Sequence, residues 1–63
     1  MKGDFCTFEK DGTLYRYSAR YTEVGRYWYG TVLDRNYNLV AETDRTDSYQ
    51  SAILLAKKWI AQH

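Results

Sequence analysis

Apolar and polar residues alternate with a period of two from residue 4 to residue 43, and from Tyr49 they recur at helical spacing. The alternating stretch divides into four runs. Residues 4–9 form a short strand, closed by Lys10-Asp11-Gly12, in which Asp-Gly is a strong hairpin signal because glycine accepts a positive φ. Residues 13–21 form a long strand with Tyr15, Tyr17, Ala19 and Tyr21 on one side and Leu14, Arg16, Ser18 and Arg20 on the other. Glu23-Val24-Gly25 makes the next turn. Residues 26–34 alternate Tyr27, Tyr29, Thr31 and Leu33 against Trp28, Gly30 and Val32. Gly30, in mid-strand, marks a bulge or a close backbone approach. Asp34-Arg35-Asn36-Tyr37 carries turn chemistry, and residues 38–43 form the fourth strand.

The predicted helix spans residues 48–62. Asp47 or Ser48 is placed to accept its first free amides, and Asp47 with Gln50 has capping-box spacing. Tyr49, Ala52, Ile53, Leu55, Ala56, Trp59 and Ile60 fall on one broad face, with Leu54 alone among polar neighbours. Lys57 and Lys58, late in the helix, complement its dipole.

These elements predict a single α+β domain over residues 1–63: an antiparallel meander of four strands, three at the least, with the C-terminal helix packed on one face. Ala52 and Ala56 let the helix approach the sheet closely. The expected buried face carries Tyr15, Tyr17, Ala19, Tyr29, Thr31, Leu33, Leu39 and Ala41. The opposite face then presents Arg16, Ser18, Arg20, Trp28, Val32, Val40 and Glu42. A shift of one residue would exchange the two sets.

Sixty-three residues lie near the lower limit for a single core, and the composition is globular, with 44% hydrophobic and 27% charged residues and no proline. Formal net charge is +1, which argues against a dedicated non-specific nucleic-acid binder, although Arg16, Arg20 and Arg26 concentrate locally. Cys6 is the only cysteine, so no intrachain disulfide forms; it reads as a small half-buried side chain in a reducing compartment. Met1-Lys2-Gly3-Asp4 lacks the apolar run of a signal peptide, and no membrane span is present, so the expectation is a cytoplasmic protein.

The chemistry of catalysis is poorly represented. The single histidine, His63, stands at the end of the chain, and the four glycines are isolated, so neither a histidine-based nucleophile arrangement nor a phosphate loop is expected. Asp34-x-Asn36-x-Asn38 copies the first ligand positions of a calcium loop, but Leu39 stands where glycine is needed and Arg45 where a glutamate is needed. A turn held by Asp and Asn side chains is the expected outcome. Glu42, Asp44 and Asp47 read as loop solvation and capping. No cofactor or metal is expected.

What stands out is the density of rings and guanidinium groups: from Tyr15 to Tyr37 the chain places six tyrosines and Trp28, interleaved with Arg16, Arg20 and Arg26. Strand propensity explains part of this. Tyr, Trp and Arg are also enriched at binding hot spots. One helix cannot cover both faces of the sheet, so part of this surface is expected to stay open.

The order of strands followed by one helix resembles the arm-type DNA-binding domains of integrases and plant AP2 domains, which implies sheet-mediated DNA binding. Residues 17–60 are also similar to HicB-like antitoxin domains, through Asp34, Leu39-Val40-Ala41-Glu42 and Ser48-x-x-x-Ala52-x-x-x-Ala56. The glycine expected in that family's turn and its Gly-Asp-Thr before the helix are missing. The leading expectation is a non-enzymatic protein that binds and modulates or inhibits another protein, in the manner of antitoxins or phage anti-defence proteins. Arg16, Arg20, Trp28 and Val32 are the expected contacts, with Tyr37 at the rim. DNA or RNA binding through the sheet is the alternative, and a homodimer through the open face is a third reading.

Overall fold

A computed structural model of the chain describes residues 5–62. The expected strand start at Asp4, the rest of the Met1-Lys2-Gly3-Asp4 stretch, and His63 lie outside the described residues. Strands β1 (Cys6–Lys10), β2 (Thr13–Thr22), β3 (Tyr27–Leu33) and β4 (Leu39–Glu42) form one antiparallel sheet in the order β1-β2-β3-β4, and helix α1 (Tyr49–Gln62) follows. The α+β meander read from the alternation is the observed fold. No helix among the described residues is long and apolar enough to cross a membrane.

Local chemistry sets the connections. Asp11 and Gly12 lie at φ 54° and 82°, the left-handed pair that a two-residue hairpin requires, and Lys10 pairs with Thr13 across them. After β4 the chain keeps alongside β3. Thr43 N–H donates to Gly30 O at 2.8 Å, Gly30 N–H donates to Thr43 Oγ1 at 2.8 Å, and Thr46 exchanges two backbone bonds with Trp28. That extension delivers the chain to α1. Of the two expected caps, Ser48 is the one used: its Oγ accepts from Ser51 N–H at 3.0 Å. The far end is held differently from expectation. No basic residue lies in the last turn of α1. Lys10 of β1 instead donates through Nζ to Ala61 O at 2.8 Å.

α1 lies over β1, β2 and β3 on one side of the sheet. The buried apolar residues are Tyr17, Val32, Ala52, Ala56 and Ile60, with Phe8, Tyr15, Ala41, Ile53 and Trp59 packed around them. Val32 and Ile60 are wholly enclosed, and each such side chain stabilises by roughly 1.5–3 kcal/mol. Tyr15 meets Trp59 edge to face at 6.3 Å.

The register corrects the expected facing of β3. Tyr17 pairs with Val32, and Val32 with Ala41, so these three share the helix side. Trp28, Gly30 and Val32 therefore face α1, whereas Tyr27, Tyr29, Thr31 and Leu33 face away. Val32 and Trp28, expected on the open face, are removed from it. Val32 is 0% exposed, and Trp28 is half-buried between the rings of Tyr21 (5.3 Å) and Tyr49 (5.4 Å). The physical reason is the closeness of α1. A Cβ on Gly30 would stand 2.5 Å from Ala52 O and 2.9 Å from Ala56 Cβ, so only glycine fits at that position. A shift in register between Val32 and Leu33 makes a second correction: it pairs Leu33 with Leu39 on the open face, although Ala41 points to the helix. Cys6, expected to be half-buried, is exposed.

Gly30→Ala is expected to destabilise the fold by about 1–3 kcal/mol, because the helix must move outward or the strand bend. Urea denaturation measures this, and an unchanged midpoint would contradict the close approach. Ser48→Ala is expected to cost about 1 kcal/mol in the same assay through loss of the cap.

Candidate functional site

With α1 covering one side, the other side of the sheet carries a mixed surface of rings, aliphatic groups and charges. Its rows follow from the register. Thr7, Arg16, Leu33 and Leu39 lie side by side, as do Ser18, Thr31 and Glu42, and Arg20 stands beside Tyr29.

One end of this face is built on the turn 34–38. The Asp34 carboxylate accepts from Asn36 N–H at 2.8 Å and from Asn38 N–H at 3.0 Å through Oδ1, and from Asn38 Nδ2 at 3.4 Å through Oδ2. Those amides occupy the oxygens that a calcium loop would offer. They also hold the Asp34 carboxyl below the usual carboxylate range. The Asn38 amide has the largest influence, partial desolvation opposes it, and the Asn36 amide, the Asn38 side chain and the Arg16 charge add to the lowering.

The same turn sets Tyr37 at φ 67° and projects its ring over the sheet. Arg16 closes the arrangement: Nη1 donates to Arg35 O at 2.8 Å and Asp34 O at 3.4 Å, and the guanidinium lies 4.2 Å from the centre of the Tyr37 ring. Phe5 meets the same ring edge-on at 5.9 Å.

The opposite end repeats the pairing with different residues. Arg45, from the segment between β4 and α1, lies 5.0 Å over the Tyr27 ring, and Tyr27 leans against Tyr29 at 6.1 Å. Between the two ends is a depression of about 340 Å³ lined by Arg20, Tyr29, Thr31, Leu33, Tyr37, Leu39 and Glu42. A second depression, of about 370 Å³, is more polar: Thr22, Thr43, Asp44 and Arg45 line it with Tyr27, Tyr29 and Glu42. The two share Tyr29 and Glu42 and so form one groove along β3 and β4. Its floor is rigid. Thr31 is only 4% exposed, and its Oγ1 lies 3.1 Å from Ser18 Oγ, which satisfies both hydroxyl groups.

The structure brings Arg16, Arg20 and Tyr37 together on this face, and places Val32 and Trp28 behind it. Arg16 is bound up in holding the turn. Arg20 is exposed, and neither it nor Glu42 makes a side-chain hydrogen bond or ion pair among the described residues. Tyr27, Tyr29, Leu33, Leu39 and Arg45 belong to the face without having been expected there. A signal for the β3 members was present: setting Gly30 against Ala52 and Ala56 would have given the outward set of β3 and the place of its tyrosines. Among the described residues, no group of three or more His, Cys, Asp or Glu is placed to hold a metal ion.

Comparison of the chain with protein-family models, with curated proteins and with solved structures gives no match.

The depressed Asp34 carboxyl has a signed consequence. Because its folded value is lowered, its contribution to stability is fully present above the ordinary carboxylate range and is lost as pH falls through the folded value. Acidification from about pH 6 to about pH 2 is expected to lower the urea midpoint of the wild type more than that of Asp34→Asn. Equal losses in the two proteins would contradict the role of this carboxylate.

Proposed function

We propose that the protein works by binding another protein through the open sheet face and thereby modulates or inhibits it, without catalysis or a cofactor. One observation carries this reading: the groove between the Arg16–Tyr37 and Arg45–Tyr27 pairs sets rings and leucines beside threonines and carboxylates, keeps the Arg20 guanidinium and the Glu42 carboxylate unpaired, and has no described element of the chain over it. Tyr29, Leu33 and Leu39 supply apolar contact area, with Leu39 58% exposed, while Arg20 and Glu42 supply directional polar contacts. The role in view is that of a small inhibitor, an antitoxin or a phage anti-defence protein.

The same details weigh against a nucleic acid. Base stacking needs open ring faces. Here a guanidinium of the chain itself already lies over Tyr27 and over Tyr37, which leaves Tyr29, among the described residues, as the one groove tyrosine without such a cover. Glu42, in the middle of the groove, repels phosphate, and the net charge of +1 gives no long-range attraction to a polyanion.

The test is retention from host extract on the immobilised chain, compared with Tyr29→Ala and Leu39→Asp. A protein held by the wild type and weakened about 30-fold, roughly 2 kcal/mol, by Tyr29→Ala is expected if that ring is an anchor. Retention of nuclease-sensitive material that falls steeply with salt, or of a protein indifferent to both variants, would contradict the reading.

A further inference from the structure

We propose that a partner this face fits is a second copy of the chain, packed sheet to sheet about a two-fold axis parallel to β3. This rests on the reading of the open face as a protein-docking surface and names its occupant. Two free charges set the geometry. Arg20 projects from β2 and Glu42 from β4, on either side of β3, and both line the same depression. Stacked sheets lie about 10 Å apart with their strands nearly aligned. A two-fold axis running along β3, midway between the sheets, sets β2 of each copy over β4 of the other.

Arg20 is level with Tyr29 on β3 and Glu42 is level with Thr31. The offset between them is two residues, about 7 Å, within reach of an arginine side chain across the gap. Each copy thus offers its guanidinium to the other's carboxylate, twice over, as an isologous interface requires. On the axis, Tyr29 and Leu33 meet their own counterparts.

Size and core composition agree with this occupant. The chain is a slab of 35 × 28 × 16 Å, and its broad face is large enough to bury the roughly 800 Å² per partner that a stable dimer needs. Among the described residues, two of the five buried apolar side chains are alanines, a thin core for one domain, and a second sheet would supply a further layer. Lys57 and Lys58, whose like charges would oppose self-pairing, lie on the helix and away from this interface.

Sedimentation equilibrium at high micromolar concentration tests the pairing with the wild type, Arg20→Glu, Glu42→Arg, and an equimolar mixture of the two variants. Both positions are exposed, and far-UV circular dichroism checks that each variant is folded. The wild type is expected at twice the chain mass. Each variant alone sets like charges opposite one another and is expected to weaken the dimer about tenfold or more. The mixture is expected to restore it. At one contact the carboxylate introduced at position 20 of the first variant meets the guanidinium introduced at position 42 of the second, and at the other contact the native Glu42 and Arg20 meet. A strictly monomeric wild type, or single variants that dimerise like the wild type, would overturn the proposal. A monomer that still loses its extract partner on Tyr29→Ala would overturn self-pairing alone, and the docking reading would stand.

Discussion

The approach of α1 to β3 at Gly30 governs the rest of the molecule. Ala52 and Ala56 present the smallest available side chains to a strand position without a Cβ, and an added methyl would lie 2.5 Å from Ala52 O. This contact fixes which side of β3 is inside. Because side chains alternate along a strand, it turns Trp28 and Val32 inward and sends Tyr27, Tyr29, Thr31 and Leu33 outward. The neighbouring backbone reinforces the choice, since Thr43 bonds Gly30 at both its amide and its carbonyl, and Thr46 bonds Trp28 at both. Composition of the open face is therefore a consequence of helix packing rather than of the open face itself.

That face is organised by arginines lying over tyrosines. Arg16 joins β2 to the turn 34–38 by two carbonyl bonds and covers Tyr37, while Arg45 reaches back from beyond β4 to cover Tyr27. Both pairs hold long side chains in place before any partner arrives, which lowers the entropy lost on association. Between them, the groove keeps its polar floor satisfied by the Ser18–Thr31 contact, and Arg20 and Glu42 unpaired among the described residues. On the reading proposed above, rings held under guanidinium groups, an exposed leucine and unpaired charges of both signs are what suit this surface to protein contact, and to contact with a second copy.

Much of the fold was legible in the sequence because each element carries its own signal. Asp11-Gly12 marks the first hairpin, the tyrosines of β2 declare its buried side, and Ser48 with the spaced alanines announces α1. β3 was not legible by hydrophobicity, because both of its sides carry rings and aliphatic groups. Trp28 and Val32 look no less like surface contacts than Tyr29 and Leu33 look like core. Leu39 escaped for a different reason: the irregularity beside Leu33 puts it and Ala41 on opposite sides despite their even spacing. Arg45 is distant in sequence from the ring it covers, and no local pattern connects them.

The open groove depends on the facing of β3, and a nuclear Overhauser experiment on the isotope-labelled chain reads that facing directly. Cross-peaks are expected from the Gly30 α-protons to the Ala56 methyl, and from the Val32 methyls to side chains of α1, with none from the Tyr29 ring to the helix. Cross-peaks joining the Tyr29 ring or Leu33 methyls to Ala52, Ala56 or Ile60 would show the strand turned over, and the groove would not exist.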